Sequence, residues 1–332
     1  MTLVVASMMA WSVFCVGDGV ASDANAVSYG STSEAYTYGP QGPEGDRLRE
    51  QIWTVPGGGK TPLRATVFRP RSSPPGGSPL VVINHGTDGR SQETASRPVF
   101  IWLTRWFVAR GYVVLLPQRR GYGETGGVLV EGTDSCLRPR HQDMGEAAAD
   151  DIEGAIAYLV RQPFVDPRDI TVIGISSGGW ASLALAARNP VGVRSVINFA
   201  GGRGAYAWGQ RGALCAGDQL VAAAADFGRR ARVPTLWLYA ENDSYFSPPV
   251  VRAMQAAWTT AGGRAELHIV PPVGREGHLI AELPTAREVW SGILDAWLAS
   301  TPAAGGIDAS DEDERHAMAV DGARPIAIGR GD

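Results

Sequence analysis

Residues 169 to 188 read DITVIGISSGGWASLALAAR. A β-branched, apolar run from Ile170 to Ile175 meets a serine set among glycines, and an Ala/Leu-rich helical pattern follows at once. That order predicts strand, sharp turn and helix. At the apex, Gly174-Ile175-Ser176-Ser177-Gly178 fits the G-x-S-x-G nucleophile elbow, in which a strained backbone lifts a serine hydroxyl above the C-terminal edge of a sheet. Glycines two before and two after the serine are expected, because a strand reversing into a helix presses backbone on backbone where a Cβ would collide. Ser177 does not fit the same frame, since Ile175 stands two residues before it.

Working outward, strands and helices alternate. Leu48 to Val55 and Leu63 to Arg69 flank a Gly/Pro turn and read as an antiparallel hairpin at one sheet edge. Leu80 to Ile83 is a continuous apolar run, the mark of a strand buried on both faces, and it ends in Asn84-His85-Gly86-Thr87-Asp88-Gly89. Val99, Trp102, Leu103, Trp106 and Phe107 recur at helical spacing until Gly111. Tyr112 to Pro117 is the next strand, and a long loop with Cys136 and His141 follows it. Ala148, Ile152, Ala155, Ile156 and Leu159 mark the helix before the elbow strand. Beyond the elbow come strands at Val193–Phe199, Val233–Tyr239 and Ala265–Val270, and helices at Val250–Ala261 and Thr285–Ala299. Gly201 to Arg232 lacks strong periodicity and reads as a loop with one weak helix. The alternation predicts an α/β fold: a doubly wound, mostly parallel sheet with an antiparallel N-terminal edge.

A serine hydroxyl is a weak nucleophile and needs a base, usually histidine. Five histidines are available. His85 sits in a turn, His141 precedes the elbow, His268 lies within a strand and His316 falls in the tail. His278 remains, on the loop after the last strand, at the sheet end where parallel strands present their ligand loops. Asp243, just beyond the strand Val233–Tyr239, is the expected carboxylate partner, preferred over Glu241 because the turn after the strand suits it better. The developing oxyanion needs two aimed donors. The Ser177 amide at the start of the elbow helix supplies one, and the Asn84–Thr87 turn the other, with Thr87 the first choice among its neighbours.

With these residues assembled the chain resembles the α/β-hydrolase superfamily, and within it the dienelactone hydrolase and prolyl-oligopeptidase-like branch. The resemblance spans Leu48 to Ala299 and is carried by Asn84-His85-Gly86-Thr87, Arg119-Arg120-Gly121-Tyr122-Gly123, the elbow, Tyr239-Ala240-Glu241-Asn242-Asp243 and Gly277-His278. It implies a hydrolase acting through an acyl-enzyme with Ser176, Asp243 and His278. Dienelactone hydrolases proper use cysteine where this chain has Ser176, so their substrate does not carry over, and there is no room for the oligopeptidase propeller. The expectation is therefore a carboxylic ester hydrolase. A peptidase or amidase is the nearest rival, and a catalytically idle binding module on the same fold is the rival of another class.

The rest of the composition narrows the setting. The formal net charge of −4 gives no electrostatic case for a nucleic-acid partner, and the resemblance implies a small-molecule ester as the substrate. No metal or cofactor is expected, because His and Cys do not cluster at ligand spacing. Residues 1 to 26 read as a signal peptide without a basic n-region, which predicts a secreted or periplasmic protein and no stable membrane anchor. Residues 27 to 47 read as a linker, 48 to 300 as the domain, and 301 to 332 as a disordered acidic tail. Past the leader two cysteines remain, in loops leaving the same end of the sheet, and a Cys136–Cys215 disulfide is predicted. Tyr206, Trp208, Tyr245 and Phe246 are candidates to line the mouth of the site, and Arg119, Arg120, Arg138 and Arg140 to steer an anionic substrate.

Overall fold

In the computed structural model, residues 37–87, 95–132, 135–301 and 303 are described. The expected leader, the first ten residues of the linker, and the tail beyond Thr301, apart from Ala303, lie outside them, as do Asp88 and Gly89. Among the described residues nine strands form one sheet: β1 (Gly39–Pro40), β2 (Gln51–Pro56), β3 (Pro62–Phe68), β4 (Ser78–Asn84), β5 (Val113–Pro117), β6 (Val165–Ile175), β7 (Val193–Phe199), β8 (Thr235–Ala240) and β9 (Ala265–Val270). Their spatial order is β1-β2-β3-β5-β4-β6-β7-β8-β9. The pairings from β1 through β3 to β5 are antiparallel, and all the others are parallel.

This order positions the site. The chain reverses direction across the sheet between β4 and β6, and a crevice opens above the carboxyl ends of strands at such a switch point. His85-Gly86-Thr87 leave β4 there, and Ser176 leaves β6 beside them. From Leu80 in β4 and from Ile170 in β6 the strands are buried on both faces, which accounts for the apolar runs there.

Among the described residues six α-helices flank the sheet: α1 (Ile101–Val108), α2 (His141–Leu159), α3 (Ser177–Ala186), α4 (Gly217–Arg230), α5 (Pro248–Thr260) and α6 (Arg287–Ser300). Every residue of α3 is buried, as its apolar composition all round requires. Two boundaries differ from the sequence reading. Part of the expected linker forms β1, whose Gly39 and Pro40 pair with Thr54 and Trp53. His141 is not in a loop but opens α2, buried with its Nε2 on the Cys215 carbonyl oxygen at 2.8 Å. The weak helix expected within 201–232 is α4, fourteen residues long, which buries Leu220, Ala223, Ala224 and Phe227 on one stripe. Asp218, Asp226, Arg229 and Arg230 supply the polar residues of the same helix.

Cys136 and Cys215 form a disulfide, with Cα atoms 4.6 Å apart across 79 residues of chain. It ties the loop between β5 and α2 to the loop between β7 and α4. Closing a loop of that length restricts the unfolded chain by roughly 4 kcal/mol in the chain-entropy account. Replacing both cysteines with serine is therefore expected to lower the urea midpoint by several kcal/mol in equivalent stability. An unchanged midpoint would show that the crosslink adds nothing.

Candidate active site

Ser176 sits between β6 and α3 with φ 54° and ψ −122°, a conformation rare for a residue with a Cβ and held here by its surroundings. Its amide donates to the Phe199 carbonyl (3.0 Å), and its own carbonyl accepts from Trp180 (3.1 Å) and Gly202 (3.2 Å). The flanking glycines have distinct reasons. A Cβ on Gly174 would lie 2.1 Å from the Gly178 carbonyl oxygen, the strand-against-helix collision expected from the motif. A Cβ on Gly178 would instead strike the carbonyl oxygens of Asn84 and His85 at 2.3 Å, because α3 presses on the end of β4.

Asp243 and His278, thirty-five residues apart in sequence, are in contact. His278 Nδ1 lies 3.1 Å from both carboxylate oxygens of Asp243, which is buried. A carboxylate only accepts, so Nδ1 carries the proton and Nε2 of the neutral ring is left as an acceptor. Asp243 Oδ1 also accepts the amides of Tyr245 (2.8 Å) and Phe246 (3.0 Å). The turn that holds the carboxylate and the contact with the imidazole thus use the same side chain. The Tyr245 ring lies over His278 with centroids 4.4 Å apart. Glu241, the competing carboxylate, is exposed.

Two residues that sequence reasoning passed over tie the Asp243 and His278 loops together. Glu276 accepts the His278 amide (3.0 Å), the Ser244 amide (3.1 Å) and the Ser244 hydroxyl (2.5 Å). Burial works against its ionised form, yet these bonds outweigh it and hold its carboxyl below the usual range. Asn242 accepts the Val273 amide through its side chain, donates to the Val273 and Gly274 carbonyls, and takes the Gly277 amide on its own carbonyl. The signal that could have found them is position: each adjoins a predicted site loop.

Across the crevice, a Cβ on Gly86 would lie 2.8 Å from Ser176 Cβ, so the turn after β4 passes directly beside the serine. Thr87 Oγ1 donates to Ser177 Oγ (2.9 Å) and lies 3.5 Å from the Tyr122 hydroxyl. The Ser177 amide belongs to the first turn of α3, whose N–H groups have no partner within the helix. His85 is buried and accepts the Arg119 amide on Nε2, with Nδ1 on the Gly86 carbonyl oxygen. Burial and the Arg119 charge drive its pKa well below the ordinary value. His268 lies on β9 against Glu266, and His316 is outside the described residues.

Ser176, Ser177, Thr87 and His278 open onto one cavity of about 1360 Å³, whose wall also includes the Cys136–Cys215 disulfide. Tyr206, Tyr245 and Phe246 line it as expected; Trp208 is 78% exposed and is not part of the lining. Arg119 and Arg120 are not free to steer a substrate. Arg119 is buried on Glu131 and Arg120 is bonded to buried Asp151. Arg140 pairs with Asp143. Among the described residues no group of three His, Cys, Asp or Glu side chains is arranged to hold a metal, and no helix is long and apolar enough to cross a membrane.

Comparison with known proteins places this geometry. The family model for X-Pro dipeptidyl-peptidase (S15 family) matches residues 57–267, more than half of the chain. A curated relative from Synechocystis sp., described as "Putative carboxymethylenebutenolidase", is 30% identical over 102 residues; the match covers 30% of this chain and 41% of that protein's length. Acetyl xylan esterase from Paenibacillus sp. R4 superposes with a TM-score of 0.55 at 18% identity, covering 79% of this chain and 88% of the esterase. Acylaminoacyl peptidase from Pyrococcus horikoshii does so with a TM-score of 0.56 at 14% identity, covering 83% of this chain and 44% of the peptidase. At such identities the two superpositions speak for the fold alone. The sheet order, the antiparallel N-terminal edge and the match over residues 57–267 together make this chain a hydrolase of the α/β-hydrolase fold that belongs to the S15 peptidase family.

Proposed function

We propose that the protein is a serine hydrolase that cleaves carboxylic esters through an acyl-enzyme. Ser176 is the nucleophile, His278 the general base and acid, and Asp243 the carboxylate that holds the imidazole in its Nδ1–H tautomer. The observation that carries this reading is the pairing of His278 with buried Asp243 on the same cavity as a serine held at φ 54°. Nε2 takes the Ser176 proton as Oγ attacks the acyl carbon, and the tetrahedral oxyanion is met by the Ser177 and Thr87 amides. The C–O bond to the alcohol breaks as Nε2 returns the proton to the leaving oxygen. Water then attacks the acyl-enzyme by the same route and releases the acid and free Ser176. The imidazolium that forms in each half-reaction is stabilised by the Asp243 charge 3.1 Å away.

The S15 family match favours a second reading, in which the same groups cleave an amide. The esterase reading is preferred because ester cleavage needs only the groups already on the cavity wall, whereas an amide asks in addition for a seat for a peptide backbone and for proton delivery to a poorer leaving group. Hydrolysis of p-nitrophenyl acetate and butyrate is expected, with aminoacyl p-nitroanilides turned over at least a hundredfold more slowly. Comparable rates on the anilides would establish the peptidase reading in its place. The disulfide supports an oxidising compartment, and export from the cytoplasm is part of the proposal.

A further inference from the structure

We infer that Arg203 makes the cavity a binding site for the carboxylate of an anionic ester. The inference names a substrate class for the site proposed above, and its binding argument stands apart from the chemistry. Arg203 follows β7 and lines the cavity with its side chain 7% exposed. Behind it lies Glu131, fully buried. Arg119, also fully buried, satisfies that carboxylate with two bonds, Nε to Oε1 at 2.6 Å and Nη2 to Oε2 at 3.2 Å, and gives Nη1 to the His85 carbonyl. Arg203 is a second cation on the same anion. It reaches Glu131 Oε2 only at 3.4 Å and donates its other terminal nitrogen to the Glu131 backbone carbonyl.

Two guanidinium groups therefore share one carboxylate, and the surplus positive charge sits on the member that faces the cavity. The wall also carries Glu276, held by Arg211 and Ser244, and Glu282, which has an interaction of its own. Around the cavity Arg97 pairs with Glu124, Arg211 with Glu276, and the nearby Arg120 with Asp151. Among the described residues Arg203 meets no second carboxylate. The two buried histidines beside the cluster are both held toward the neutral form, chiefly by burial, with the charge of Arg119 acting on His85 and that of Arg203 on His141. A buried, under-matched cation is costly, and an anionic ligand that excludes water from the cavity relieves that cost through charge-assisted bonds. The planar fork of an arginine suits a carboxylate in particular.

The test uses 4-hydroxybenzoate and 4-hydroxybenzamide, which share a ring and differ in charge, and it reads binding by calorimetry in the Ser176→Ala protein. The benzoate is expected to bind at least tenfold more tightly. In Ser176→Ala/Arg203→Met that preference is expected to fall below twofold, and Arg203→Lys to retain part of it. A purely structural Arg203 would shift both affinities alike. Equal affinities in the protein that keeps Arg203 overturn the inference without any variant at that position, and so does a preference that survives Arg203→Met. Turnover of 4-acetoxybenzoate and 4-acetoxybenzamide by the unmodified protein is read separately. Tight benzoate binding with neither acetate hydrolysed supports the anion site and rejects the esterase reading; hydrolysis of both acetates with no binding preference does the reverse.

Discussion

Ser176→Ala is expected to abolish labelling by a fluorophosphonate probe and to lower ester turnover roughly 10⁴- to 10⁶-fold, the loss seen when a nucleophile is removed and only binding and oxyanion stabilisation remain. The size of the effect follows from where the hydroxyl sits. Its backbone is pinned by bonds from the Trp180 and Gly202 amides and to the Phe199 carbonyl, so no neighbouring hydroxyl can swing into its place. Ser177, the adjacent candidate, is buried and its Oγ is engaged by Thr87 at 2.9 Å. Alanine keeps the Cβ and the strained φ of 54°, so the folded state loses no packing, and the melting temperature should change little. Probe labelling that persists in Ser176→Ala would reject the elbow serine as nucleophile.

The elbow could be read from sequence because its causes are local. A β-branched run, glycines two residues either side of a serine, and an alanine-rich helix all lie within twenty residues. Asp243 and His278 were legible for a different reason: strand runs end just before them, and parallel topology sends those ends to one side of the sheet. What resisted reading was pairing between distant loops. Nothing in the sequence near Arg203 says that it meets Glu131, 72 residues earlier. For the same reason the sequence left open whether Arg119 and Arg120 steer a substrate or hold the structure. Burial turns on which carboxylates the fold delivers, and Glu131 and Asp151 come from a loop and a helix that the sequence leaves unplaced relative to them. Glu276 was hidden in plain view, two residues before His278. Its function as a tie to Ser244 exists only once the loops after β8 and β9 lie side by side.

Asp243→Asn and His278→Ala should both cut turnover steeply, and the pair distinguishes a catalytic unit from a structural turn. Asparagine keeps an oxygen to accept the Tyr245 and Phe246 amides, so the turn after β8 and the fold are expected to persist. It cannot keep a carboxylate toward His278 Nδ1, however. The amide offers either a neutral oxygen or a donating nitrogen, and with the latter the imidazole is driven to the wrong tautomer. Ester turnover should then fall about 10⁴-fold at neutral pH. His278→Ala removes the base itself and should cost as much as Ser176→Ala, while the double variant Ser176→Ala/His278→Ala costs little more than either alone, because groups that act together fail together. Steady-state kinetics on p-nitrophenyl acetate, with circular dichroism to confirm that each variant folds, decide the matter. Near-normal turnover in folded His278→Ala would reject the assignment of the base. Additive losses in the double variant would mean that the serine and the histidine serve separate steps.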